Sequence, residues 1–474
     1  MLRRTSLRLA AAAAAAATLA GCGALVRSAS GRGAAAADAA PSGPRTISPE
    51  LQWARTAWRY VENNTDYDSG LVAGADRMAV FTAWNAGDAL AAVVAAHELG
   101  VIDAREFDQR LSRLLGFIGT MELSGGQVPN KAYSAASGKM VGFDGRPADI
   151  GWSALDIGRL LLWLRIVRQR HPRFAEYADK AVLRWSFCEV IDDCGVLTGT
   201  SRTGASLSRY AEGRLGYEQL AAAGYAAWGF DMRRTLAVPP TEAVNIHGTP
   251  IRYDARDART SGSQTPVLTM PYAFAAMELG AASPLRALAD SVYHVQEERW
   301  RREKQFTARS DHQVRDAPYV VLDAVFAAGY AWNTIGHDGR EYDKLAIVNT
   351  RAAFAMAALW PTDYTRELMR SVQYLYDPDR GWYEGRFEAG GAPQDNITLS
   401  TNAAVLEALL FKAKGVLFDP AKDKPGHFET VTSDPFNRLG RCHPKERPAC
   451  TPPASPAAAR TPHPHPARPS ASAS

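Results

Sequence analysis

Thr82-Ala83-Trp84-Asn85-Ala86-Gly87-Asp88-Ala89-Leu90 and Ser153-Ala154-Leu155-Asp156-Ile157-Gly158-Arg159-Leu160-Leu161 share one pattern. A hydroxyl residue opens each stretch, an amide or carboxyl follows three positions on, and glycine and then leucine continue an apolar run. Helices begin this way: the Thr82 and Ser153 hydroxyls can cap the first free amides, with Asn85 and Asp156 in the place of a capping-box partner. Asn349-Thr350-Arg351-Ala352-Ala353-Phe354 and Ser400-Thr401-Asn402-Ala403-Ala404-Val405 form a second matching pair. Self-similarity of this kind predicts an array of helical hairpins.

Apolar residues recur at three- and four-residue spacing in 81–99, 154–167, 215–228, 268–279, 320–332, 346–359 and 402–411, which predicts a helix in each. Many of these segments are rich in Ala and Gly, so the helices can approach closely. Strand signals are few, the best being Trp382–Phe387 before Gly390-Gly391. Closing the array into a ring would bury every inner face, so the expectation is an all-α fold, an α/α toroid of helical hairpins with a few short strands, over residues 48–418. In such a ring the starts of the inner helices gather at one mouth, which is where a site is expected.

The chain ends differ from this body. Arg3, Arg4 and Arg8 precede a short apolar run, and Leu19-Ala20-Gly21-Cys22 looks like a lipobox. The expectation is a signal peptide over 1–21, lipidation at Cys22, and a flexible Ala/Gly/Ser tether over 22–47. The protein would then face the periplasm in the cell envelope, at the outer membrane, and touch membrane only through its lipid. Residues 419–474 are expected to be a disordered Pro/Ala-rich tail. The net charge of +4 is concentrated at the ends, in the three leader arginines and in Arg441, Lys445, Arg447, Arg460 and Arg468. The body is slightly acidic, which excludes nucleic acid as a partner. Besides Cys22, the cysteines form two close pairs, Cys188 with Cys194 and Cys442 with Cys450. In an oxidising compartment two local disulfides are expected, with crossed pairings left open.

Leu359-Trp360-Pro361-Thr362-Asp363-Tyr364-Thr365, Asp377-Pro378-Asp379-Arg380-Gly381-Trp382-Tyr383-Glu384-Gly385 and Leu399–Ala408 resemble the bacterial domain of unknown function family 3131. Gly216-Tyr217-Glu218-Gln219 and Ala317-Pro318-Tyr319-Val320 extend the resemblance over most of residues 50–415. It implies a helical toroid similar to the six-hairpin glycosidases, in exported proteins tied to exopolysaccharide or periplasmic glucan metabolism. One departure is Asn85, which stands where an acid is expected after the tryptophan and cannot serve as general acid or base.

Glycoside cleavage needs two carboxyl groups, one to protonate the leaving oxygen and one to attack or to activate water. Glu384 is the first candidate: in an extended segment it shares a face with Trp382, and an indole beside a carboxyl suits a sugar subsite. A pairing of Glu384 with Arg386 is the structural alternative. Glu218, near a helix start, and Asp311, in a loop with His312 and Asp316 ahead of Pro318, are the other catalytic candidates. Helix-dipole complementation for Glu218 and a turn or cap for Asp311 and Asp316 compete with that reading, while Pro318 suits the first turn of a following helix. Trp84, Tyr217, Trp382 and Tyr383 are candidate sugar platforms, and Asp156, Asp316 and Asn402 candidate sugar hydrogen-bonding groups, with capping as the alternative for Asp156 and Asn402. No nucleophile elbow, zinc-protease pair, phosphate loop or dinucleotide fingerprint occurs, and the ten histidines are scattered. No metal and no cofactor is expected. The sequence thus predicts a lipid-anchored glycoside hydrolase or transglycosidase acting on bacterial exopolysaccharide or glucan. The alternative is a non-catalytic glycan-binding lipoprotein of polysaccharide assembly, partnered with export machinery.

Overall fold

The computed structural model describes residues 48–256, 264–280 and 285–450; the expected leader, Cys22, the tether and residues 451–474 lie outside them. In chain order the helices described are α1 Pro49–Asn64, α2 Ala83–Glu98, α3 Ala104–Thr120, α4 Ala154–Arg170, α5 Ala175–Leu183, α6 Tyr217–Ala227 and α7 Arg233–Leu236. They continue with α8 Met270–Leu279, α9 Leu285–Glu303, α10 Thr350–Leu359, α11 Asp363–Val372, α12 Leu399–Lys414 and α13 His427–Ser433. Each of α2, α4, α6, α8, α10 and α12 packs against the next, and α12 packs against α2, so six inner helices close a ring. Outside it, α1 lies on α12, α3 on α2, α5 on α4, α7 on α6, α9 on α8 and α11 on α10.

Composition decides which helix goes inside. The inner helices are apolar on nearly every side; α2 is buried without interruption from Asn85 to Ala96. Their small residues permit contact between backbones: a Cβ on Gly224 of α6 would lie 1.8 Å from the Gly158 carbonyl oxygen of α4. An outer helix buries one stripe, as α3 does with Phe107, Leu111, Leu114, Leu115 and Ile118. No helix among the described residues is long and apolar enough to cross a membrane.

The fold is helical but not all-α, because short antiparallel hairpins fill the loops at the ring's end. Residues 320–332, expected to be a helix, are strands Val320–Asp323, Phe326–Ala327 and Tyr330–Ala331. The β-branched Val321 is paired on both sides, with His312 and Gly336, and Val320 pairs with Gln313; Ala328 and Gly329, both at positive φ, turn the chain. Asp311 therefore opens a strand rather than a turn, and Pro318 precedes a strand rather than a helix. The strand expected at Trp382–Phe387 spans Gly381–Phe387, between Ile347–Asn349 and Pro393–Ile397.

Residues 419–450, expected to be disordered, are docked on the ring. Arg165 bonds Glu429 at 2.7 Å and also pairs with Asp423, Arg168 bonds Glu429 at 2.9 Å, and Phe428 is buried. These contacts carry the C-terminal cysteines across to the segment after α5. The disulfides are accordingly the crossed ones, Cys188–Cys442 and Cys194–Cys450, not the two local pairs. Short spacing favours local pairing only while the tail has nothing to dock on.

Candidate active site

The starts of five inner helices meet over one cavity of about 210 Å³. Thr82, Trp84 and Asn85 come from the start of α2, Asp156 from α4, Arg214 and Tyr217 from the approach and first residue of α6, Arg351 from α10, and Thr398 and Ser400 from α12. The hairpins add Asp311, His312 and Glu384. Capping side chains stand there because free amides do. Thr82 and Asn85 form a reciprocal capping box, and the Asp156 amide donates to the Ser153 hydroxyl at 3.1 Å. Beneath the cavity, Arg159 bonds Asp88 at 3.0 Å, Glu278 at 2.8 Å and Glu407 at 3.3 Å, all buried. Its guanidinium lies 4.7 Å from the Trp84 ring centre and 3.9 Å from that of Phe274, which fixes the indole from below.

Three carboxyl groups line the cavity, and their surroundings differ. Burial, then the neighbouring Glu212 carboxylate, pushes Asp156 up to about 7 against the pull of Ser153, Lys131 and Arg214. Glu212 accepts the amides of Ala154 and Leu155 at the start of α4, and burial raises its carboxyl too. Asp311 is the opposite case. Burial alone would raise it, but Arg351 at 2.8 Å, Tyr217 at 2.7 Å and Ser310 at 3.0 Å outweigh burial and hold it below the usual aspartate range. Both of its oxygens are thereby occupied. Glu384 has one oxygen, Oε1, accepting from the Thr398 and Thr401 hydroxyls, the latter at 3.0 Å, while no hydrogen bond among the described residues reaches Oε2. No pairing with Arg386 forms; that guanidinium lies over the Phe306 ring.

The structure thus brings together Glu384, Asp311, Asp156, Trp84 and Tyr217. It takes the other predicted residues elsewhere. Glu218 is held by Arg256 at 2.6 Å, outside the cavity. Trp382 is fully buried between Phe354 and Tyr376 and donates to the Trp53 carbonyl, so its ring is core rather than platform. Its strand runs from the core to the cavity, which separates Trp382 from Glu384 along its length. Tyr383 lies off the cavity, near Asp377 and Arg380. Asn402 ties α12 to that strand, accepting from the Trp382 amide at 2.8 Å and donating to the Trp382 and Thr398 carbonyls. Asp316 is exposed on the loop before Tyr319. Sequence reasoning missed Glu212, Arg214 and Arg351. Only Arg351 carried a signal, its place one residue past the Asn349-Thr350 helix start.

Solved structures share the fold, among them a glucoamylase-like protein and two glucanases. A glucoamylase-like protein from Bacteroides caccae superposes with a TM-score of 0.58 at 13% identity, over 80% of this chain and 96% of that one. The endo-β-1,2-glucanase of Chitinophaga pinensis, solved with sophorotriose and glucose, gives 0.56 at 12% identity, over 82% and 96%. The β-1,2-glucanase of Parabacteroides distasonis gives 0.57 at 13% identity, over 85% of this chain and 60% of that one. At such identities the likeness concerns the fold alone. No curated protein sequence matches the chain. A sequence model of the family described as protein of unknown function (DUF3131) matches residues 52–415, from α1 through the whole ring to α12, and the chain belongs to that family.

Proposed function

We propose that this protein is a glycoside hydrolase acting on a bacterial glucan or exopolysaccharide, with Asp156 and Glu384 as its carboxyl pair. One observation carries the reading: at a single cavity, a carboxyl that keeps its proton near neutrality stands with a second carboxyl that has an oxygen free. Asp156 donates its proton to the leaving glycosidic oxygen. Glu384 acts at the anomeric carbon, either directly or by taking a proton from the attacking water. Asp311, with both oxygens held, provides fixed negative charge and orients the Tyr217 hydroxyl. Trp84, stacked on Arg159, offers a platform for a pyranose face. The fold shared with glucan-cleaving enzymes supports the class of reaction. Export and lipidation at Cys22, with a place in the cell envelope near polysaccharide export machinery, complete the proposal from the sequence side.

The test is to incubate the protein with β-1,2-glucan, other bacterial glucans and exopolysaccharides and to measure new reducing ends. The expected result is product from at least one polymer, with Glu384→Gln slowing its release by about 10²-fold or more. Binding without product in the unaltered protein would instead support a glycan-binding role with no chemistry.

A further inference from the structure

Two arginines line the cavity, and they are used differently. Arg351 is buried and anchored on Asp311. Both have a buried Nε without an acceptor, but Arg351 has Asp311 on its Nη2, whereas Arg214 makes no ion pair and no side-chain hydrogen bond at all among the described residues. Carboxyl groups are near enough to feel its charge, since Asp156 and Glu212 both do, yet neither is in contact with it. The guanidinium lies 5.8 Å from the Tyr217 ring centre, and His337, also in the cavity wall, is lowered by burial and then by the Arg214 charge. A guanidinium in a cavity wall with no acceptor on any nitrogen, one of them shielded from water, has lost hydration that nothing in the described chain returns. By contrast Arg256 pairs with Asp254 and Glu218 and Arg309 with Asp323 and Glu388, while Arg386, which likewise has no ion pair among the described residues, lies over the Phe306 ring outside the cavity. A neutral sugar gives Arg214 only weak hydroxyl acceptors. A planar anion gives it two parallel charge-assisted bonds, the geometry for which arginine is suited.

We infer that Arg214 is an anion-binding residue and that the glycan taken into this cavity bears an acidic substituent, a carboxylate or a phosphate. The inference rests on the glycan reading of the cavity and narrows its substrate class. Arg214 faces the substituent while Asp156 and Glu384 face the linkage, so charge recognition and bond cleavage belong to separate groups.

The test measures binding by calorimetry, using the full chain with Glu384→Gln so that bound sugar is not consumed. Three probes are compared: an oligosaccharide of glucose and glucuronate, the same compound with its carboxyls reduced, and a glucose oligosaccharide carrying one phosphate monoester. At least one charged probe should bind about tenfold tighter than the reduced one, and which charged probe binds tells carboxylate from phosphate. Adding Arg214→Gln should erase the difference, and Arg214→Lys, which keeps the charge, should retain part of it. Equal binding of charged and neutral probes overturns the inference, as does binding of none of them. So does a loss in Arg214→Gln that is the same for charged and neutral probes. An Arg214-dependent preference in a protein that releases no reducing ends leaves this inference standing and removes the hydrolase reading; hydrolysis without a charge preference does the reverse.

Discussion

Asp156 stands at a helix start and, on the proposed reading, also serves a reaction. Its amide is spent on the Ser153 cap, which leaves its carboxyl facing the cavity close to Glu212. The ordinary aspartate value is 3.8, and burial with Glu212 pushes Asp156 up to about 7. Between these values the folded chain holds a proton that the unfolded chain has released. Folding therefore gains from this group at low pH and loses that gain as pH rises toward about 7. Asp156→Asn should flatten the fall in melting temperature between pH 4 and 7, read by thermal unfolding across that range. An unchanged slope would place the proton elsewhere. In the proposed hydrolysis Asp156 gives up this same proton, so activity of the unaltered protein should decline as pH rises through about 7.

The inner helices were legible as elements because nothing else buries an Ala- and Gly-rich segment on every side. The periodic runs 81–99, 154–167, 215–228, 268–279, 346–359 and 402–411 became α2, α4, α6, α8, α10 and α12. The run 320–332 misled because apolar spacing alone does not separate a helix from paired strands, and its β-branched start and its Gly329 turn decided for strands. Close approach at the α4–α6 contact makes a sharp prediction. Gly224→Ala should destabilise by about 1–3 kcal/mol, since its Cβ would lie 1.8 Å from the Gly158 carbonyl oxygen. On outer α3, Gly116→Ala meets nothing within 4 Å and should be neutral or stabilise by up to about 1 kcal/mol. Denaturant unfolding of the two variants compares them directly; equal effects would contradict the packing argument.

At the scale of the whole molecule, ring closure gathers the starts of five of the six inner helices over one cavity. That gathering was foreseeable from the repeated caps, and it brings Asp156, Trp84 and Tyr217 to the mouth with Glu384 and Asp311 from the hairpins. Illegible were the groups whose role depends on contacts far along the chain. Glu212 acts only because it meets the start of α4, and Trp382 left the site because the core claimed its ring. The C-terminal segment also escaped local reading: its order comes from Arg165, Arg168 and two disulfides that reach back more than 250 residues. The most direct measurement is a crystal structure of the Glu384→Gln variant with an oligosaccharide that the unaltered protein cleaves. The account predicts sugar in this cavity, with a glycosidic oxygen within hydrogen-bond distance of the Asp156 carboxyl and the anomeric carbon turned toward residue 384. Sugar bound elsewhere, or a linkage that faces neither side chain, would contradict it.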